Sequence, residues 1–171
     1  MAFKEGIFKY LFWVIIGYVS WLILYEFWLL PHTLLDEMLI HGLVKSSSFI
    51  LSILGYSVQN GGDPWLNIIA LDHRPGVWIS PNCDGLSVVV IYCIVISSFP
   101  GNLSRKFVFL FLGSLCVELA NVIRIVSLAI IHRNHPEWLK FNHDYTFTIF
   151  VYAIVIGWWW LWFKKKHSAL S

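Results

Sequence analysis

Four apolar stretches, each close to the length that crosses a bilayer, limit the folds open to this 171-residue chain more than any other feature. They run from Tyr10 to Leu30, about Cys83 to Phe99, Phe107 to Ile131, and about Asp144 to Phe163. Roughly 20 apolar residues cross the hydrocarbon core as a helix, which satisfies its own backbone hydrogen bonds where no water can. Pro31-His32, Pro100-Gly101-Asn102 and the His132 to His143 segment with Pro136 separate the stretches with residues that resist helix or prefer water. The second stretch is the shortest and has room to begin earlier. Tyr10 to Leu30 is too long for a signal-peptide core and no small-residue cleavage pattern follows it, so it reads as a retained anchor. The expectation is an all-α integral membrane protein with about four transmembrane helices, one domain over residues 1–171.

Composition agrees with a lipid solvent. Hydrophobic residues make up 58% and charged residues 13%, which does not describe a soluble domain, and 18% aromatics excludes a disordered tail. A net charge of +2 from 12 Lys+Arg and 10 Asp+Glu contains no basic block able to track phosphates, so nucleic acid is not an expected partner. Cys83, Cys93 and Cys116 have no CxxC spacing and are too few for a disulfide framework, so each thiol stands alone.

The basic residues suggest an orientation. Lys4, Lys9, Arg105, Lys106, Lys164, Lys165 and Lys166 fall on one side of a four-span topology, and Lys45, Arg74, Arg133 and Lys140 on the other. Seven against four favours both termini in the cytoplasm by the positive-inside rule. Trp158, Trp159, Trp160 and Trp162 before Lys164 to Lys166 read as an interfacial anchor in the same sense.

Between the first two spans, residues 33–55 read as an outward amphipathic helix lying along the membrane surface. Glu37, His41, Lys45, Ser48 and Ser52 form one polar stripe, and Leu35, Met38, Leu39, Leu43, Phe49, Ile50 and Ile53 cover the rest. A fifth, polar-faced span is the competing reading. Beyond Gly55, Tyr56 to Val58, Trp65 to Leu71 and Gly76 to Ile79 read as short extended segments, with turns at Asn60 to Pro64 and Asp72 to Pro75.

Ionisable residues inside spans are expensive and mark candidate sites. On the third span, Ser114, Glu118 and Asn121 fall within about 60° of one another and Arg124 about 60° further round. A snorkelling Arg124, or an Arg124 to Glu118 pair, is the purely structural alternative. Cys83 lies where the second span begins, and a thiol at a helix N-terminus favours the thiolate, although Asp84 opposes it. Cys93 and Cys116, in mid-span, read as packing. His143 opens the fourth span and can take and return a proton near neutral pH, with an interfacial, merely wetted His as the plain alternative. The second and fourth spans begin where the third ends, so nucleophile, base and cation can converge.

At Asn82-Cys83-Asp84-Gly85-Leu86, Asn121-Val122-Ile123-Arg124-Ile125 and His143-Asp144-Tyr145 the sequence resembles the exosortase and archaeosortase family, membrane cysteine transpeptidase-like enzymes with a Cys-Arg-His triad on three helices. The likeness covers roughly residues 76–163, and one clear span before Cys83 marks a compact form. It implies a prokaryotic inner-membrane enzyme acting on the outer face upon secreted proteins with C-terminal sorting signals. Cys83 would attack the scissile carbonyl, His143 act as base and then acid, and Arg124 stabilise the oxyanion, with no cofactor. Transfer would be to water or to a surface acceptor. Asn121 would orient Arg124 or bind substrate backbone, and His132 or His135 compete for the base role. Two rivals remain. One is a metal site on His132 and His135 helped by His143 or by Asp72 and His73, disfavoured by Arg133 and Pro136. The other is a non-enzymatic scaffold or small transporter subunit using Arg124, Glu118 and Asn121 as helix glue.

Overall fold

The structure, a computed structural model, describes residues 2–59 and 67–167. The turn expected over residues 60–64 and the start of the extended run at Trp65 lie outside the described residues, as do the side chains of Lys4, Asn82, Lys165 and Lys166. The long helices are α1 (Ala2–Leu24), α2 (Leu35–Ile53), α3 (Leu86–Ser98), α4 (Leu103–Asn134) and α5 (Phe147–His167). Strands β1 (Val58–Gln59), β2 (Ile68–Leu71) and β3 (Val77–Trp78) pair antiparallel in that order, with Val58 opposite Leu71 and Ile69 opposite Val77.

Among the described residues, three helical segments are long and apolar enough to cross a membrane, Phe8–His32, Leu103–Asn134 and Pro136–Lys164. The chain is therefore a multi-pass membrane protein. The expected second span differs: α3 has 13 residues, about 20 Å at 1.5 Å per residue, and begins at Leu86, beyond Cys83. Gly85, at φ +86°, ends the preceding turn and stops the helix from running back to Cys83. At the other end, Pro100 disfavours helix at the residue before it. Helix α1 continues to His32 through a π turn at Tyr25–Leu29. Pro31 has no N–H for Phe27 four residues back, and the widened turn falls there.

The described residues group into two compact units. One comprises Met1–Thr33, Leu86–Val117 and Ile154–Ser171. Three of its polar side chains end on backbone carbonyls. The fully buried Tyr92 donates its hydroxyl to the Phe109 carbonyl at 2.6 Å, Arg105 donates to the Trp162 carbonyl at 2.8 Å, and Lys106 to the Ser97 carbonyl at 2.8 Å. The Arg105 guanidinium also lies 4.6 Å from the Trp162 ring centre, and Phe109 packs edge-on against Trp158 and Trp162. The four tryptophans read as one interfacial anchor are thus split: Trp160 is exposed, whereas Trp162 is a core residue. Cys93 faces Ser114 at 3.6 Å.

The other unit comprises Leu34–Gly85 and Glu118–Ala153. Ile40, Leu43, Val44 and Leu51 of α2, Ile69 and Leu71 of β2, Ile79, and Val122, Ile125, Val126 and Ala129 of α4 form its core. Helix α2 has three faces. The buried set follows a helical repeat, Glu37, His41, Lys45 and Ser52 are exposed along the polar stripe, and Met38, Phe49 and Ile53 are exposed along a third, apolar face. That third face is the one an interfacial helix turns to lipid.

Between β2 and β3 the Arg74 N–H closes a turn on the Leu71 carbonyl, with Asp72 and His73 both at positive φ, as a type I′ hairpin turn requires. Asp72 accepts from the Ser57 N–H at 3.0 Å and from Arg133 Nε at 2.6 Å, while Arg74 donates to the Arg133 carbonyl and Arg133 lies over the Tyr56 ring. These contacts tie the hairpin to the last turn of α4. The Ser57 N–H first, and then Arg133, hold the Asp72 carboxyl below the usual carboxylate range.

Candidate active site

Cys83 closes a single 3-10 turn, Pro81–Cys83, that leads from β3 towards α3. Helix α3 starts only at Leu86, so the helix-terminus argument for an activated thiol does not apply, and the sulfur depends on neighbouring side chains. It is half-buried against the core, and Ser80 donates its hydroxyl to it at 3.5 Å.

Gly85 gives the Cys-Asp-Gly segment its shape. Its positive φ is strained for any residue with a side chain, and a Cβ there would stand 3.0 Å from Asn121 Nδ2 and 3.2 Å from Glu118 Oε1. The backbone can therefore lie against α4, where the buried Asn121 donates Nδ2 to the Cys83 carbonyl at 2.9 Å. Leaving both groups unpaired in so apolar a place would cost about 1–3 kcal/mol. Asn121 thus uses its amide nitrogen to hold the chain's own turn.

His143 sits in a π turn, Asn142–Thr146, inside a helical run that extends from Pro136 into α5. The Phe147 N–H reaches back five residues to the Asn142 carbonyl, and the Thr148 hydroxyl donates to the His143 carbonyl at 3.2 Å. Such a turn accommodates an extra residue and re-aims the side chains it carries. Here it brings His143 Nε2 to 3.4 Å from Cys83 Sγ, across 60 residues of sequence. On the other side of the ring, Nδ1 is 2.9 Å from Asp144 Oδ1, and Asp144 Oδ2 accepts from Lys140 Nζ at 2.8 Å.

Arg124 lies one helical turn beyond Asn121 on α4, half-buried, with Nε enclosed and no hydrogen-bond partner for that atom among the described residues. It forms no ion pair with Glu118, which lies about 120° round the helix. The structure thus joins Cys83 to His143 directly and to Asn121 through the backbone, and leaves Arg124, one turn along α4 from Asn121, without a bond to Cys83 or His143. Of the competing histidines, His135 faces Glu137 at 3.3 Å, and His132 keeps an enclosed, unpartnered Nδ1. Among the described residues no three His, Cys, Asp or Glu side chains gather to hold a metal ion, and Asp72 is engaged by Arg133. A groove of about 720 Å³ between α2 and α4, lined by Lys45, Phe49, Leu119 and Val122 among others, is on a face of α4 turned away from Asn121 and Arg124.

The sequence reading missed Ser80, Lys140 and Asp144 as members of this cluster. The local signals were the i,i+4 spacing of Lys140 and Asp144 and the adjacency of Asp144 to His143, with none for Ser80.

Compared with known families, residues 6–161 match the family model described as Transmembrane exosortase (Exosortase_EpsH). The chain belongs to the transmembrane exosortase family. No curated protein and no solved structure matches it. The matched region includes Cys83, Asn121, Arg124 and His143 of this exosortase family member, and an exosortase-type function in a membrane goes with that membership.

Proposed function

We propose that the protein is a membrane-embedded cysteine protease or transpeptidase that cleaves the C-terminal sorting signals of secreted proteins on the outer face of the prokaryotic inner membrane, with both termini cytoplasmic. The observation that carries this reading is the 3.4 Å approach of His143 Nε2 to Cys83 Sγ, a nucleophile within reach of a base. His143 takes the thiol proton as sulfur attacks the scissile carbonyl carbon. Arg124 supplies the fixed cation for the resulting oxyanion. The tetrahedral species collapses with cleavage of the C–N bond, and His143 gives its proton to the leaving amine, leaving a thioester on Cys83. Water or the amine of a surface acceptor then attacks the thioester, giving a proton to His143 that returns to the departing thiolate. The chemistry needs no cofactor.

The test is labelling with a membrane-impermeant maleimide in intact cells that also express a secreted reporter ending in an apolar helix and a basic tail. Wild type is expected to label rapidly at Cys83 and to shorten the reporter. Cys83→Ser abolishes both, and His143→Ala slows both. Arg124→Ala cuts reporter processing by about 10²–10³-fold, the usual loss on removing an oxyanion donor. Full processing by Cys83→Ala at normal membrane abundance would sink the reading in favour of a non-enzymatic scaffold.

A further inference from the structure

We infer that Asp144, held in place by Lys140, is a positioning residue that sets the tautomer and ring orientation of His143 towards Cys83. The inference rests on the reading of Cys83 and His143 as nucleophile and base. Four side chains from two separate segments form one continuous line. Lys140 Nζ donates to Asp144 Oδ2 at 2.8 Å, Asp144 Oδ1 lies 2.9 Å from His143 Nδ1, and His143 Nε2 lies 3.4 Å from Cys83 Sγ. An ionised carboxylate can only accept, so the shared proton belongs to Nδ1, and Nε2 presents its lone pair to the thiol. In the opposite tautomer Nε2 would point a proton at the sulfur and could take none from it. The second oxygen of Asp144 is occupied by Lys140, which restrains rotation of the carboxylate away from the ring.

The π turn is a second observation pointing the same way. Neighbouring residues on a regular helix point about 100° apart. The widened turn at Asn142–Thr146 instead lets the adjacent side chains of His143 and Asp144 meet while His143 also reaches Cys83. Other charged or titratable groups close to the pair in sequence or along the helices are Asp84 beside Cys83, Glu118 and Arg124 on α4, and Tyr145. Asp144 is the one seated on Nδ1, the ring nitrogen remote from the sulfur. A plain surface ion pair between Lys140 and Asp144, one turn apart on a helix, is the competing explanation, and it makes no prediction about Cys83.

The experiment uses the full chain in native membranes and reads the rate of iodoacetamide alkylation at the Cys83 peptide by mass spectrometry. Asp144→Asn is expected to slow alkylation about tenfold, the size of a one-unit change in proton affinity. Asp144→Glu restores most of the rate, and Lys140→Met slows it about two- to threefold, as loss of a restraint and not of the orienting group. The deciding comparison is a double-mutant cycle: in a His143→Ala background Asp144→Asn should have no further effect. Equal slowing with and without His143 would overturn the inference and mark Asp144 as structural. An unchanged rate in Asp144→Asn, with His143→Ala slow, would overturn it while leaving the Cys83 and His143 reading intact. An unchanged rate in His143→Ala would overturn that underlying reading instead. If Asp144→Asn does not accumulate, Asp144→Glu and Lys140→Met carry the same comparison.

Discussion

In the unit containing α1, α3, the first half of α4 and most of α5, three polar side chains terminate on backbone carbonyls: Tyr92 on Phe109, Arg105 on Trp162, Lys106 on Ser97. The unit containing α2, the sheet and the remainder of α4 has carbonyl contacts too, such as Asn121 on Cys83, but it also holds side chains that terminate on one another: Lys140 on Asp144, Asp144 on His143, His143 by Cys83, Asp72 on Arg133. A backbone carbonyl has no proton to exchange, so a side chain bonded to it is anchored without taking part in proton transfer. A side chain whose partner also titrates can pass a proton or change charge. Anchoring and reactivity should therefore respond to different substitutions, although α4 runs through both units.

The largest expected effect that separates them is at Gly113. A Cβ there would collide with the hydroxyl and ring of Tyr92, which is fully buried and has nowhere to go. Gly113→Ala should lower stability by about 2–3 kcal/mol, typical of overpacking, and leave Cys83 alkylation in the folded fraction unchanged. Thermal unfolding in detergent alongside labelling checks this, and a matching fall in Cys83 reactivity would break the separation.

Gly85→Ala should do the reverse. The positive φ alone costs about 1–2 kcal/mol, and the new methyl presses on Asn121 and Glu118, which displaces the Cys83 turn. Alkylation of Cys83 is expected to fall about tenfold while the folded fraction remains high. A wild-type rate would show that the turn does not depend on this glycine.

The smallest effect is the acid sensitivity of the Asp72 clasp. The Ser57 N–H and Arg133 depress its folded pKa, so its stabilising contribution is complete above the unfolded value of about 3.9 and is lost as pH falls through the folded value. Stability should therefore rise with pH across that window in wild type and rise less in Asp72→Asn. Melting curves between about pH 5 and 3 would test it, and identical slopes would remove Asp72 from the account.

Much of this was legible in particular residues. The runs at Tyr10 to Leu30 and Phe107 to Ile131 mark helices because hydropathy is a local property, and both helices extend a few residues past the expected ends. The polar stripe of α2 was visible at 100° per residue. Which of its apolar residues enter the core and which stay exposed was not, since Leu43 and Phe49 are equally apolar to a sequence reading. The expected start of the second span failed at Gly85, because a glycine before a helix does not announce a positive φ. Cys83 and His143 were legible as types near the ends of two spans. The contact of Asn121 with the Cys83 carbonyl had no local signature, and the adjacency of Asp144 to His143 did not show that the two side chains meet.

The amino-acid sequence by itself determined the solvent, the helical class and the chemistry available, because each depends on side-chain transfer energies and reactivities that every residue carries with it. Tertiary structure alone decided which histidine meets the thiol and which nitrogen faces it. Those outcomes depend on a π turn, on a glycine turn that lies against α4, and on a contact spanning 60 residues that no short-range pattern encodes.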